Sequence, residues 1–205
     1  MRPAIASFLE GKDVLDAEFD ASLFPLELGG LVSRWHWTPL VVARRAAALL
    51  VDGGNPRILD VGSGVGKFCI AGALTTEAWF VGVEQRGALV EAAREAASRC
   101  GAQRASFIHG NAFDVDFAEF DALYFFNPFL ELIDPPPFPI DHLVPRSPTL
   151  HGELVAATYQ RLRQARPGTR VVTYGGFGGD MPGGFTCELE ERCYRDLLAL
   201  WIKSR

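Results

Sequence analysis

Arg57-Ile58-Leu59-Asp60-Val61-Gly62-Ser63-Gly64-Val65-Gly66-Lys67-Phe68 is a short apolar run that ends in an acid and passes into three glycines at alternate positions. A segment of helical pattern follows. Glycine lacks a Cβ, so the backbone can turn sharply there and a ligand can lie against it. The helix N-terminus beyond the turn offers unpaired N–H groups. Asp60 puts a carboxylate at the mouth of the turn, which suits a ligand with hydroxyl or ammonium donors better than a bare pyrophosphate. The spacing excludes two other loops. A dinucleotide fingerprint needs glycine three places after Gly64, where Lys67 stands, and a phosphate loop needs Ser or Thr after Gly66-Lys67, where Phe68 stands.

Outward from this stretch, strand and helix patterns alternate. Strands are predicted over 57–61, 79–83, 106–109, 122–126, 169–174, 186–190 and 197–203. Helices are predicted over 40–50, 66–74, 88–100 and 152–166. Thr38 and Pro39 read as the N-cap and first residue of the first of these helices. Trp79–Val83 is continuously apolar, as in a strand covered on both faces. Strands alternating with helices imply an α/β, doubly wound and mostly parallel seven-stranded sheet. No helix-length segment separates the last two strands, so they must form an antiparallel C-terminal edge hairpin. Residues 1–54 read as an N-terminal helical cap and residues 55–205 as the ligand-binding domain.

The 205 residues are 48% hydrophobic and 22% charged, with a net charge of −5. That is enough apolar material for a sizeable core, and the acidity disfavours a broad electrostatic grip on nucleic acid. Cys69, Cys100, Cys187 and Cys193 are scattered, without metal or redox spacing, as expected of reduced thiols in a cytoplasmic protein. No apolar run reaches the ~20 residues of a membrane span, and the first residues lack the pattern of a secretion signal.

Asp60-x-Gly62-x-Gly64-x-Gly66 resembles the first motif of class I S-adenosylmethionine-dependent methyltransferases. Three further elements follow in order. Val81-Gly82-Val83-Glu84 places an acid at the end of the second strand, where the resemblance implies contact with both ribose hydroxyls. Gly110-Asn111-Ala112-Phe113-Asp114 follows the third strand. The family usually has Asp where Asn111 stands, accepting from the adenine amino group, and an amide oxygen can also accept. Phe125-Phe126-Asn127-Pro128-Phe129 leaves the fourth strand. It is similar to the Asn/Asp-Pro-Pro-aromatic motif of amino-group methyltransferases, with one proline instead of two and the aromatic one place earlier. Residues 58–129 also look like the cofactor half of the non-SET histone-lysine methyltransferases.

The resemblance implies S-adenosylmethionine as cofactor, held by Asp60, Gly62, Ser63, Gly64, Glu84, Asn111 and Ala112, with no metal. Asn127 is the candidate catalytic residue, orienting an acceptor nitrogen; the alternative is a strand-ending turn that shapes the pocket. Trp35-His36-Trp37-Thr38-Pro39 is either a lid with Trp37 or Thr38 near the methionine end, or a staple docking the first long helix. The loop of residues 127–148, with Asp134, Asp141 and His142, and His151 just beyond it, is placed to recognise the acceptor. Gly175–Gly184 is either a mobile loop that folds Phe177 over the acceptor or a plain turn. The expected activity is methyl transfer to an amine nitrogen of a small molecule or protein side chain. Its rivals are a non-catalytic S-adenosylmethionine sensor or partner subunit and a nicotinamide-dependent oxidoreductase. Acceptor, general base and oligomeric state are not legible.

Overall fold

The computed structural model describes residues 2–135, 137–141, 143 and 146–204. Four helices lead the chain: α1 (Pro3–Leu9), α2 (Asp16–Leu23), α3 (Gly30–His36) and α4 (Leu40–Leu50). Then come β1 (Arg57–Val61), α5 (Lys67–Thr75), β2 (Trp79–Glu84), α6 (Gly87–Cys100), β3 (Ala105–His109) and β4 (Ala122–Phe126). The chain ends in α7 (Pro148–Arg163), β5 (Arg170–Tyr174), β6 (Phe185–Cys193) and β7 (Asp196–Lys203).

The strands form one seven-stranded sheet in the order β3-β2-β1-β4-β5-β7-β6. The pairs from β3 to β5 are parallel, whereas β5–β7 and β7–β6 are antiparallel. The α/β class, the mostly parallel sheet and the C-terminal edge hairpin are therefore as the sequence predicts. Strand order reverses between β1 and β4, which lie in register with Val61 beside Phe125. Ligands in open parallel sheets bind beyond the carboxyl ends of the strands at such a reversal. The glycine loop and Asn127 leave these two neighbouring strand ends.

Alternate residues of each strand feed two apolar layers. Ile58, Phe80, Tyr124 and Val172 pack beneath α4, α5 and α6, and this layer extends without a break into Ile5, Phe8, Phe19 and Leu23 of the leading helices. Leu59, Val61, Leu123 and Phe125 face the other way, against Phe117, Leu162 and Phe177. Phe68 and Tyr124 stack at 3.9 Å between ring centres, fixing α5 over the reversal point.

Several boundaries differ from the sequence expectation for local reasons. Thr38 does not cap α4. Pro39 takes the cap position without a side-chain bond, and Asp16 Oδ1 from α2 accepts from the Leu40 N–H at 2.9 Å. Thr38 is instead buried, with Oγ1 3.1 Å from the Tyr124 hydroxyl. Helix α7 starts at Pro148 rather than 152, because the Ser147 hydroxyl accepts from the Leu150 N–H and proline suits the first helical turn. Strands β6 and β7 run on to a two-residue turn, Tyr194-Arg195, in which Tyr194 has φ 58°. Tyr and Arg are not turn-forming residues, so the hairpin reads shorter in sequence than it is.

Lys67 is the largest departure. It is only 2% exposed and pairs with Asp16 at 2.5 Å and Asp20 at 2.8 Å. Asp20 is itself 1% exposed and also accepts from the Ser33 hydroxyl. Burial pushes the Asp20 carboxyl above its ordinary range, against the pull of Lys67 and Ser33. The residue after the third glycine thus ties α2 and α3 to the glycine loop.

Candidate active site

Glu84 stands at the end of β2 with both carboxylate oxygens engaged. Oε2 accepts from the Gly64 N–H at 3.1 Å and Oε1 from the Arg86 N–H at 2.8 Å. Burial pushes its pKa up, and these N–H groups with the Arg86 charge oppose that. The glycine loop is thereby locked to the tip of β2, while each oxygen keeps a lone pair. The Gly62 and Ser63 N–H groups both donate to the Val83 carbonyl at 3.0 Å.

Gly62, Glu84, Asn111 and Ala112 line one cleft of about 140 Å³, walled by Phe113, Phe129, Leu150 and Leu154. Four expected cofactor residues therefore meet there. Asn111 caps the short turn after β3, its Oδ1 accepting from the Phe113 N–H at 2.9 Å. That bond uses one of the two lone pairs an amide oxygen has.

The other expected residues lie around the cleft without lining it. Asp60 is 4% exposed, and its Oδ2 accepts from the Cys69 thiol at 3.4 Å. Burial, opposed by that thiol and reinforced by the charge of Glu84, raises its pKa to about 7. Ser63 turns its hydroxyl inward against Gly82, where it finds no hydrogen-bond partner. Only its main chain belongs to the loop surface, because the sheet side of a tight turn is the side with room for a small side chain. Thr38 faces Tyr124, as described. Trp37 covers Gly64 so closely that a Cβ there would overlap its ring, and its Nε1–H donates to the Leu28 carbonyl at 2.8 Å. The tryptophan thus lies over the glycine loop and is held from α3's side.

A second cleft, of about 200 Å³, adjoins the first across the segment 127–130. It is lined by Trp35, His36, Phe126, Asn127, Glu131 and Asp134, among others. Asn127, just beyond β4, adopts φ 41°, a left-handed conformation; its N–H donates to the Gly176 carbonyl at 3.2 Å and its side-chain amide lies against Gly175. Glu131 is gripped by Arg86 at 2.6 Å and by His36 Nδ1 at 3.3 Å. Burial raises the Glu131 carboxyl, but the hydrogen bonds from His36 and Arg86 outweigh it and hold the group below its usual range. Arg86 also pairs with Asp141 at 2.9 Å, and His36 Nε2 lies 2.8 Å from the Phe138 carbonyl. The proline-rich loop is therefore strapped to β2 and α3.

Arg86 and Glu131 are not legible in the sequence, where a lone Arg after Gln85 and a Glu in a loop carry no signal. His142 lies outside the described residues. His151 sits in α7, close to Gly178. Phe177 is no mobile flap: it is 2% exposed and packs on Phe125 at 5.8 Å, because the glycine loop folds it into the apolar layer under α7. A larger hollow, of about 320 Å³, lies among Phe8, Lys12, Leu40 and Arg44 and contains none of the glycine-loop residues. Among the described residues no helix is long and apolar enough to cross a membrane.

Residues 53–168 match a protein-family model described as a methyltransferase domain. An RNA methyltransferase from Salinibacter ruber, solved with S-adenosyl-L-homocysteine, superposes with a TM-score of 0.60 at 25% identity, over 82% of this chain and 93% of that one. TrmN from Thermus thermophilus superposes at 0.59 with 20% identity, over 81% of this chain and 49% of its own length. A mutant of MtNAS bound to S-adenosylmethionine superposes at 0.58 with 15% identity, over 98% of this chain and 71% of that one. No curated protein matches the chain in sequence. The switch-point cleft, the acid at the tip of β2 and the matched domain converge on one conclusion: the chain belongs to the methyltransferase-domain family and is a class I S-adenosylmethionine-dependent methyltransferase.

Proposed function

We propose that the acceptor is an amine nitrogen, carried by a small molecule or a protein side chain in the cytoplasm, and that it enters the second cleft to meet the methyl group beside Asn127. The observation carrying this reading is the cleft itself. Trp35 and Phe126 give it aromatic walls, Asp134 gives it an exposed carboxylate beside the Arg86-paired Glu131, and Asn127 gives it an amide at the junction with the cofactor cleft. Aromatic faces and carboxylates favour an organic ammonium over an anion.

The residues present fit the cofactor. Glu84 would take the ribose hydroxyls and the Asn111-Ala112 turn with Phe113 would take adenine, while Asp60, buried behind the glycine loop, would act on the methionine ammonium as a nearby charge rather than by direct contact. When bound, S-adenosylmethionine supplies an already activated methyl group, so alignment and water exclusion remain for the protein. Asn127 orients the nitrogen lone pair along the transfer axis. It cannot take a proton, so the acceptor's proton leaves through Asp134, the exposed carboxylate of the cleft, to water.

The test is radiolabelled methyl transfer to three acceptor sets: aliphatic and aromatic amines, lysine peptides, and structured RNA. The RNA arm is a second reading favoured by the 25% identity to the Salinibacter ruber RNA methyltransferase. Turnover on an amine that Asn127→Ala lowers by about a hundredfold supports the reading, since loss of an orienting group removes several kcal/mol of positioning. Turnover confined to RNA overturns it.

Asp60 adds a pH prediction. Its carboxyl, with a pKa of about 7 in the folded chain, is neutral below that pH, whereas in the unfolded chain it ionises near 3.8. The folded protein therefore binds the extra proton between about pH 4 and 7, and this group's contribution to stability is lost as pH rises through that window. Only the ionised form would attract the methionine ammonium through the glycine loop. Affinity for S-adenosylhomocysteine should fall about tenfold from pH 8 to pH 6, as the ionised fraction falls. Titration calorimetry checks this, and Asp60→Asn should flatten the slope.

A further inference from the structure

We propose that Asp196, at the start of β7, is a positioning residue that turns the Asn127 amide so that its oxygen faces the acceptor cleft. The inference rests on the reading of Asn127 as the group that meets the acceptor amine.

Three observations converge on one point. Among the described residues, Asn127 and Tyr194 alone of the non-glycine residues have positive φ, at 41° and 58°. Such conformations cost of order 1 kcal/mol or more and persist where the surroundings impose them. Asn127 ends β4, and Tyr194 forms the hairpin turn that delivers Asp196. The two strained positions therefore serve neighbouring side chains contributed by different elements.

Gly175 lies between them at φ 65°. The point where a Cβ on Gly175 would stand is 2.6 Å from Asp196 Oδ2 and is overlapped by Asn127 Nδ2 as well. The space left by the missing side chain is bordered by both the amide and the carboxylate, which make no direct hydrogen bond with each other. The carboxylate is anchored, Asp196 Oδ1 accepting from the Leu197 N–H at 2.8 Å, and Gly175 is held beside it, its N–H donating to the Leu197 carbonyl at 2.9 Å.

The chemistry then assigns the orientation. A carboxylate oxygen accepts hydrogen bonds, so the amide edge that suits it is the NH₂. The amide oxygen consequently points the other way, into the cleft beside Trp35 and Phe126. There it can accept from an N–H of the incoming amine. With a neutral or donor group at position 196, the amide has no such bias and presents NH₂ to the cleft part of the time, repelling an amine.

The test uses ligands that need no known acceptor. Sinefungin carries a primary amine where the transferred methyl would lie, and S-adenosylhomocysteine has nothing there. Titration calorimetry should show the wild-type chain binding sinefungin about tenfold more tightly, as one charge-assisted hydrogen bond provides. Asp196→Asn and Asp196→Ser should each reduce that preference to about twofold or less, with S-adenosylhomocysteine affinity held within about twofold. Preference retained in both variants overturns the proposal, as does equal loss of both ligands, which marks a purely structural role. Asn127→Ala separates the two levels. If it keeps the preference, the Asn127 reading itself fails. If it loses the preference while the Asp196 variants keep it, only the orientation by Asp196 fails.

Discussion

Lys67→Met should lower the stability of the chain by about 3–5 kcal/mol, the range for breaking a buried ion pair from one side. Lys67 is 2% exposed and Asp20 1% exposed, so neither charge can turn to water when its partner is removed. In a domain of this size that loss corresponds to a fall in Tm of roughly 10 °C, read by circular dichroism. Adding Asp20→Asn to Lys67→Met should recover most of it, because the penalty comes from the stranded carboxylate and not from the absent attraction. Breaking the exposed Arg94–Glu91 pair should shift stability by well under ~1 kcal/mol. A Lys67→Met protein as stable as the wild type would mean that α2 and α3 are not tied to the glycine loop through this cluster. The same variant should also weaken S-adenosylhomocysteine, since α3 leads directly into Trp37 above Gly64.

Under the proposed placement, in which Glu84 takes both ribose hydroxyls, Glu84→Ala should weaken S-adenosylhomocysteine about a hundredfold, two charge-assisted hydrogen bonds being worth ~3 kcal/mol together. Glu84→Gln should sit between, because an amide keeps one acceptor. Glu84 already accepts from the Gly64 and Arg86 N–H groups, so the alanine variant also loosens the glycine loop. Calorimetry below the transition temperature, with a far-ultraviolet spectrum as a folding check, reads the effect. Affinity within about threefold of wild type would remove Glu84 from the cofactor site. NAD in the same cell should give no heat, which separates the chain from an oxidoreductase on a related sheet.

Arg86 links the two clefts physically. Its main chain holds Glu84 and its guanidinium holds Glu131 and Asp141. The loop that walls the second cleft is therefore anchored two residues beyond Glu84. Sequence alone leaves that loop as a structureless run of prolines, since each partner is a common surface residue and only their convergence carries information.

The local pattern of this chain was enough to determine the order of strands and helices, the parallel sheet with its antiparallel edge, and the glycine loop with Glu84 beyond it. Those features follow from periodicity, turn chemistry and the spacing of glycines, all of which are written within a few residues of one another. Tertiary structure alone decided which side chains face the clefts. Ser63 and Thr38 turn inward, Phe177 joins the core, Lys67 becomes the buried tie to the leading helices, and Asp196 arrives beside Asn127 from nearly seventy residues away. A side chain's direction depends on which distant element packs against it. Burial energy and electrostatic pairing between elements set that direction, and neither leaves a mark in the neighbouring sequence.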